Sequence, residues 1–132
     1  MVVDGSALLA VLLRAPDAAR FDAALADAPV RLISAVTRAE VACVIESRKG
    51  APGRMVLERL LRKGDFETAA VTPQQADLAA DAFRRFGTGR QSAALTLGDC
   101  FAYALAQIVG LPLLFRDERF RQTDVTAALP PA

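Results

Sequence analysis

The amino-acid sequence predicts an α/β fold in which a parallel sheet of four to five strands lies between two layers of helices, a three-layer α/β/α arrangement. Short apolar runs with the length of buried strands alternate with longer segments of helical periodicity along its 132 residues. Strands that are joined through helices run parallel, with the helices on both faces of the sheet. A hydrophobic content of 53% is enough for one core, so we expect a single domain over residues 1–132.

The first strand and helix occupy the N-terminal end. Val2 and Val3 predict a short buried strand that ends at Asp4, and a helix capped by Ser6 is expected to continue to Leu13. Open α/β sheets bind ligands just beyond the carboxyl ends of their strands, and the Asp4 carboxylate would lie there. An aspartate also serves well in a turn or a helix cap, so this position taken alone fits either role.

A helix predicted over residues 35–46 carries a second candidate acid. Glu40 shares a helix face with Val36 and Val44, and a solvated glutamate does not require that apolar face. If the helix begins late, Thr37 and Glu40 would equally form a capping box.

The remaining elements are predicted from the same kinds of pattern. Helices are expected over 18–26 and 55–63, and another helix is expected to begin after its cap Thr72. Strands are expected over 30–34 and 66–71, with a short edge strand within 125–132. A turn is expected over 47–53, and a polar loop over 87–92 is a candidate for contacting a ligand.

The segment over residues 96–106 places a single carboxylate at the start of an apolar helix. No charged residue occurs between Cys100 and Val109, so we expect this helix to be covered on nearly every side, with Asp99 at the edge of the core. Thr96 precedes Asp99 by three residues, a spacing that fits a capping box as well as a ligand site.

Acidic residues also follow the last predicted strand, which covers residues 111–115. Parallel strands bring the residues after each strand to one edge of the sheet. We therefore expect an acid cluster there, formed by Asp4, Glu40, Asp99 and the Asp117-Glu118 pair. Carboxylates this close repel one another and raise one another's pKa unless a cation lies between them.

Residue types narrow the chemistry further. The sequence contains no histidine, which excludes serine–histidine and cysteine–histidine catalysis and the common zinc sites. An enzyme of this composition would have to use carboxylates and a hard cation. The net charge of +1 does not by itself indicate nucleic acid, although all basic residues except Lys49 and Lys63 are arginine, the side chain best suited to phosphate.

Cysteine usage and hydropathy give two more expectations. Cys43 and Cys100 both lie in apolar helical patterns, so we expect two small buried side chains and no disulfide. The apolar runs are too short for a membrane span, and no basic segment precedes the first of them. The sequence therefore predicts a cytoplasmic protein that does not enter a membrane.

Four segments spread over the chain form a recognisable set: Val3-Asp4-x-Ser6, Ile33-Ser34-Ala35-Val36-Thr37-x-Ala39-Glu40, Leu97-Gly98-Asp99-Cys100-Phe101-Ala102-Tyr103-Ala104, and Pro112-Leu113-Leu114-Phe115 followed by Gln122-Thr123-Asp124. Together they resemble the motifs of PIN-domain ribonucleases, and specifically of the VapC toxins of toxin–antitoxin pairs. The resemblance implies a compact α/β/α domain that binds Mg²⁺ or Mn²⁺, cleaves RNA, usually tRNA or rRNA, and is restrained by a VapB-type antitoxin. It implies catalytic roles for Asp4, Glu40 and Asp99, with Asp4 and Asp99 as the main metal ligands.

The fourth acid departs from the family pattern. Many members have Gly-Asp-Asp-Phe after the last strand, whereas this chain has Asp117-Glu118-Arg119-Phe120. Aligned without gaps, Glu118 takes the first Asp position and Arg119 the second. We favour Asp117 as the fourth catalytic acid because it follows the strand sooner, and Glu118 is the alternative. Ser6 would orient a carboxylate or a water molecule.

Surface residues suggest how the chain meets its partners. Arg48, Arg90 and Arg116 are candidates for contacting the RNA backbone, although each would serve equally as a solvated charge. The first helix has more leucines than one face needs and the family often dimerises, so we expect a homodimer that uses Leu8, Leu9, Leu12 and Leu13. The alternative to a nuclease is a non-catalytic PIN-like binding module, which would bind no Mn²⁺.

Overall fold

Four parallel strands form the central sheet of the computed structural model, which describes residues 1–89 and 93–132. The strands are β1 (Val2–Val3), β2 (Leu32–Ser34), β3 (Glu67–Ala69) and β4 (Leu113–Leu114), and they lie in the order β3-β2-β1-β4. The predicted α/β fold is confirmed. The last three strands are shorter than their apolar runs, because regular pairing lasts only where both neighbours remain extended.

Helices cover both faces of this sheet. They are α1 (Gly5–Leu12), α2 (Ala18–Asp27), α3 (Ala35–Lys63), α4 (Pro73–Phe86) and α5 (Leu97–Val109), and a 3₁₀ helix over Glu118–Gln122 follows β4. Within the described residues, none of these helices combines the length and the apolar character needed to cross a membrane.

The core is divided into two layers by the sheet. Val2 and Leu113 point into one layer, which is filled mainly by side chains of α4 and α5. Their neighbours Val3 and Leu114 point into the other layer, against α1, α2 and α3. Successive strand residues face opposite sides, and these four are completely buried, so β1 and β4 contribute to both layers at once. β1 lies between β2 and β4, which encloses its carboxyl end within the fold.

α3 differs most from its prediction. The chain stays helical past residue 46, so the predicted helix end at that residue is wrong. The predicted turn over 47–53 is confirmed only as a kink at Gly50, where two helices within Ala35–Lys63 meet. Gly50 has φ 65° and ψ −157°, a conformation that glycine adopts at little cost. Pro52 follows at the start of the second helical part, where its missing N–H group costs no hydrogen bond. The predicted turn is therefore reduced to one residue, and the helix bends there.

Smaller corrections concern the helix ends and the tail. Asp4, and not Ser6, caps α1, because its side chain accepts the Ser6 N–H. The predicted edge strand in the tail is reduced to a single parallel bridge between Ala127 and Leu113. The Thr72 cap of α4 is confirmed, since its hydroxyl accepts the Gln75 N–H at 3.1 Å.

The two cysteines lie in different environments. Cys100 is buried, as predicted, whereas Cys43 is exposed on α3, so its prediction is wrong. Both thiols are free. The buried face of this part of α3 is formed by Thr37, Val41 and Ile45, and Cys43 lies on the opposite side of the helix.

Candidate active site

Four of the predicted acids line one pocket, which we call the acid pocket. Its lining consists of Asp4, Gly5, Ser6, Leu9, Glu40, Val41, Val44, Asp99 and Asp117. Asp4 and Asp117 come after β1 and β4, Asp99 lies in the first turn of α5, and Glu40 reaches in from α3. The pocket is thus located beyond the carboxyl ends of the neighbouring strands β1 and β4, as expected for an open parallel sheet.

Asp4 is the most enclosed of these acids. Its residue is only 5% exposed, and its Oδ2 accepts hydrogen bonds from the Ser6 N–H at 2.9 Å and the Ser6 hydroxyl at 2.6 Å. Burial raises the pKa of Asp4 to about 6, with smaller contributions from the charges of Asp99 and Asp117, although the Ser6 hydrogen bonds oppose the rise. The expected mutual repulsion is therefore present at Asp4, but loss of hydration is the larger cause.

Ser6 connects this acid to the residues that follow β4. Its hydroxyl donates to Asp4 and accepts the backbone N–H groups of Arg116 at 2.9 Å and Asp117 at 3.1 Å. A hydroxyl has one donor and two acceptor positions, and here all three are used. Ser6 therefore fixes the turn that carries Asp117 against the Asp4 carboxylate.

Asp99 satisfies the capping interpretation. Its Oδ2 accepts the Thr96 N–H at 2.9 Å, and the Thr96 hydroxyl accepts the Asp99 N–H at 3.2 Å, so the capping box is complete. The same oxygen also accepts a hydrogen bond from Arg119 Nη2 at 2.9 Å. Capping and a place in the acid pocket are thus combined in one residue, and Oδ1 accepts no hydrogen bond from any residue that the structure describes.

Glu40 lies against the N-terminal end of α5 at Gly98. A Cβ atom at position 98 would come within 2.2 Å of Glu40 Oε2 and 2.5 Å of its Cδ, so only glycine allows this approach. Loss of hydration raises the pKa of Glu40, and the charge of Asp99 raises it further. Gly98 was not predicted as a site residue. Its position directly before Asp99 in the resembling motif was the only signal for it.

Replacing Gly98 by Ala is expected to lower RNA cleavage about tenfold without lowering the melting temperature. The new methyl group would push the flexible Glu40 side chain out of the pocket, while alanine favours a helix over glycine by about 1 kcal/mol. Cleavage rates of both proteins in Mg²⁺ measure the first effect, and thermal melting of both proteins in EDTA measures the second. Full activity together with normal stability would show that the position of Glu40 is unimportant.

Asp117 and Glu118 point to different places. Asp117 lines the acid pocket, whereas Glu118 forms an ion pair with Arg121 and lines the adjoining groove. Burial alone would raise the pKa of Asp117, but hydrogen bonds from the Arg119 side chain and N–H outweigh it and lower the pKa. The expectation that all the acids raise one another's pKa is therefore wrong at Asp117, because a cation from the chain itself lies beside it.

That cation, Arg119, was not predicted to belong to the site. Its guanidinium binds Asp117 through Nε and Nη2, binds Asp99 through Nη2, and donates from Nη1 to the Ala94 carbonyl at 2.8 Å. One signal was present in the sequence, since Arg119 stands where many members of the resembling family have an aspartate. Its long-range contacts could not be inferred from that position.

The donor chemistry of the pocket suits a hard divalent cation. Carboxylate oxygens are the ligands that Mg²⁺ and Mn²⁺ prefer. The raised pKa values of Asp4 and Glu40 show two carboxylates that are destabilised as anions and would gain from a cation. In the described part of the chain, however, no three acidic or cysteine side chains lie close enough together to hold a metal ion. The residue types therefore fit the ion, whereas their present arrangement does not.

A groove of about 600 Å³ adjoins the acid pocket and contains two of the predicted RNA-binding arginines. Ser6, Leu9 and Asp117 line both cavities, so the two are continuous. Arg116 is engaged with Asp17 through Nε at 2.9 Å and 3.0 Å, whereas Arg48 has no ion pair within residues 1–89 and 93–132. The third candidate, Arg90, and the end of the predicted 87–92 loop lie outside the described residues.

Asp4→Asn is expected to stabilise the metal-free protein at pH 7.5 and to lose this advantage at pH 4.5. Asparagine can still accept both Ser6 hydrogen bonds but carries no buried charge. The native pKa of about 6 lies above the ordinary 3.8, so the wild type loses stability as the pH rises from about 4 through 6. The rise of the Asp4 pKa from 3.8 to about 6 corresponds to ~3 kcal/mol in the free energy of unfolding.

Urea unfolding in EDTA at the two pH values measures this difference. Asp22→Asn on the exposed face of α2 is the matched control and should show no such pH-dependent gain. Equal stability changes for Asp4→Asn at both pH values would contradict a raised pKa at Asp4.

Comparisons with known proteins agree with the architecture and the motifs. Residues 1–125 match the family model described as "PIN domain". A protein named "Ribonuclease VapC" from Mycolicibacterium smegmatis is 50% identical over 127 residues, which cover 96% of this chain and 98% of that protein. Two solved structures have similar folds. Mycobacterium tuberculosis VapC20, described as a toxin that cleaves the sarcin-ricin loop, has a TM-score of 0.80 at 16% identity. A chain of a toxin–antitoxin complex from Klebsiella pneumoniae has a TM-score of 0.69 at 20% identity. In each comparison 98% of both chains is covered.

Proposed function

The chain belongs to the PIN-domain family of VapC ribonucleases, and on that premise we propose that it is a divalent-metal-dependent endoribonuclease, the toxin of a toxin–antitoxin pair, that hydrolyses phosphodiester bonds in tRNA or rRNA. The observation that carries this proposal is the convergence of Asp4, Glu40, Asp99 and Asp117 on one pocket. The four residues come from distant parts of the sequence, and a fold maintained only for its shape has no need to bring four like charges together.

In this proposal the four acids would bind the metal ion, and Ser6 would position two of them. Asp4 and Asp99 would hold Mg²⁺ or Mn²⁺, with Asp117 and Glu40 binding it directly or through water. When bound, such an ion lowers the pKa of a water molecule and neutralises charge that develops on the phosphate. Ser6 keeps the Asp4 carboxylate and the Asp117 backbone in a fixed relation through its three hydrogen bonds.

The adjoining groove is suited to the RNA strand on one side of the scissile phosphate. Arg48 would bind a backbone phosphate, since its guanidinium has no acidic partner in the described residues, and Arg116 would do so after exchanging Asp17 for a phosphate. Arg90 is proposed for the same role from the sequence alone. The description of the similar VapC20 as a toxin that cleaves the sarcin-ricin loop supports a structured RNA as the substrate.

The partners follow from the family and from the surface of α1. A VapB-type antitoxin would restrain the activity, and the similarity to a chain of a toxin–antitoxin complex supports this. A homodimer would use the leucines of the first helix that remain partly exposed, Leu9, Leu12 and Leu13, whereas Leu8 is fully buried and unavailable. The protein would act in the cytoplasm, where its RNA substrate is located.

One experiment tests the proposal and its alternative. Purified protein is incubated with total RNA in Mg²⁺, in Mn²⁺ and in EDTA, and new RNA ends are mapped by sequencing. Discrete ends that form with metal and not with EDTA are expected. The alternative is a non-catalytic PIN-like binding module, and it is favoured by the observation that no three of the described acids lie close enough together to hold a metal ion. It predicts no new ends under any condition and no heat of Mn²⁺ binding in calorimetry.

A further inference from the structure

Arg119 lies across the acid pocket and uses its whole guanidinium to do so. Nε donates to both carboxylate oxygens of Asp117 at 3.0 Å and 2.9 Å, and Nη2 donates to Asp117 at 2.5 Å and to Asp99 at 2.9 Å. Nη1 binds the Ala94 carbonyl. Arg119 therefore joins two of the acids proposed to hold a metal, although these lie 18 residues apart in the sequence.

The guanidinium also balances the charge of the pocket. Its charge is paired directly with Asp99 and Asp117 and interacts favourably, without a hydrogen bond, with Asp4, whose pKa nevertheless stays raised. Glu40 takes part in no ion pair or hydrogen bond with a described residue. Arg119 therefore compensates Asp99 and Asp117 directly, whereas Asp4 forms no ion pair within the described residues.

A divalent cation and Arg119 would compete for the same oxygens. Oδ2 of Asp99 already accepts two hydrogen bonds, from Thr96 and Arg119, and Oδ2 of Asp117 accepts two from Arg119. Two cations within a few ångströms of each other repel strongly in a partly buried site. The arrangement of the described acids, in which no three are placed to hold a metal ion, is the one that exists with Arg119 in the pocket.

We propose that Arg119 is a built-in substitute for the metal: its guanidinium holds the acid pocket together when no metal is bound, and a divalent ion can bind only when the guanidinium leaves Asp99 and Asp117. This inference rests on the proposed function, because it assumes that the pocket takes a divalent cation. Arg119 acts here through the two carboxylates, as a positioning residue that sets the metal affinity and the resting form of the pocket.

Arg119→Gln tests the proposal by calorimetry with Mn²⁺. The Kd for Mn²⁺ is expected to fall by about tenfold or more, because the competing charge is gone. In EDTA the melting temperature of the variant should fall below that of the wild type, and Mn²⁺ should raise it by a larger interval than in the wild type. Arg121→Gln is the matched control. Arg121 lies in the same 3₁₀ helix as Arg119, but it pairs with Glu118 outside the acid pocket. The Mn²⁺ affinity of this control variant should equal that of the wild type.

The outcomes separate the inference from the proposed function. A wild type that binds Mn²⁺, together with an Arg119→Gln variant of equal or weaker affinity, overturns the role of Arg119 and leaves the metal site intact. Absence of Mn²⁺ binding in both proteins overturns the metal-dependent function and the inference with it.

A second measurement does not depend on the variant being stable. In the wild type with ¹⁵N-labelled arginine, the Arg119 Nε signal should shift, and its hydrogen should exchange faster with water, as Mg²⁺ saturates the site. An Nε signal that stays unchanged at saturating Mg²⁺ would show that the guanidinium remains in place, which contradicts displacement.

Discussion

Replacing Asp99 by Asn is expected to lower the rate of RNA cleavage by at least about a hundredfold, and Asp4→Asn should have an effect of the same size. Each change removes a ligand charge and keeps the shape of the side chain. An asparagine at position 99 can still accept the Thr96 N–H, so the cap of α5 should survive and the loss should not come from unfolding. The rate of end formation at the mapped RNA sites in Mg²⁺ measures the effect.

The control for this experiment is Asp81→Asn, which removes a half-buried aspartate that is paired with Arg84 on α4 and does not line the acid pocket. It should cleave at the wild-type rate. If either Asp4→Asn or Asp99→Asn also cleaved at that rate with normal metal dependence, the assignment of the acid pocket as the active site would fail.

Asp117→Asn is expected to weaken Mn²⁺ binding about tenfold or more, whereas Glu118→Gln should leave it unchanged. Asp117 is turned into the acid pocket by Ser6, which accepts the Asp117 N–H, and Glu118 is paired with Arg121 on the surface. Calorimetric titration of the two variants with Mn²⁺ gives the comparison directly.

The two variants serve as each other's control, because both remove one charge from adjacent residues. Weakened binding in Glu118→Gln with an unchanged Asp117→Asn would transfer the fourth ligand to Glu118. It would also require the turn after β4 to differ from the one described.

The acids could be predicted from the sequence because their positions depend on local rules. Asp4 follows a short apolar run that predicts a buried strand, and Asp99 stands in the first turn of a helix that has no other charged residue. Parallel strands bring such residues to one edge whatever their separation in the chain. The sequence signal was strong wherever the place of a residue depended on its own element.

The remaining features depend on contacts between elements. The contact between Glu40 and Gly98 joins α3 to α5, and the hydrogen bond from Arg119 to Asp99 joins the 3₁₀ helix after β4 to the start of α5. Periodicity and capping patterns carry no information about such pairs. The same reason explains why the capping and ligand interpretations of Asp99 looked like alternatives, when one carboxylate takes part in both the cap and the pocket.

The place of β1 in the sheet has a consequence for synthesis on the ribosome. β1 is made first but is completed on one side only by β4, more than a hundred residues later. Until Leu113 and Leu114 emerge, the nascent chain has an open, apolar strand edge, which is prone to association with other chains. The Ser6 hydroxyl likewise cannot accept its hydrogen bonds from the N–H groups of Arg116 and Asp117 until those residues have been synthesised. A prematurely terminated translation product therefore lacks the assembled acid pocket, and we expect it to be removed as a misfolded polypeptide before it can act on RNA.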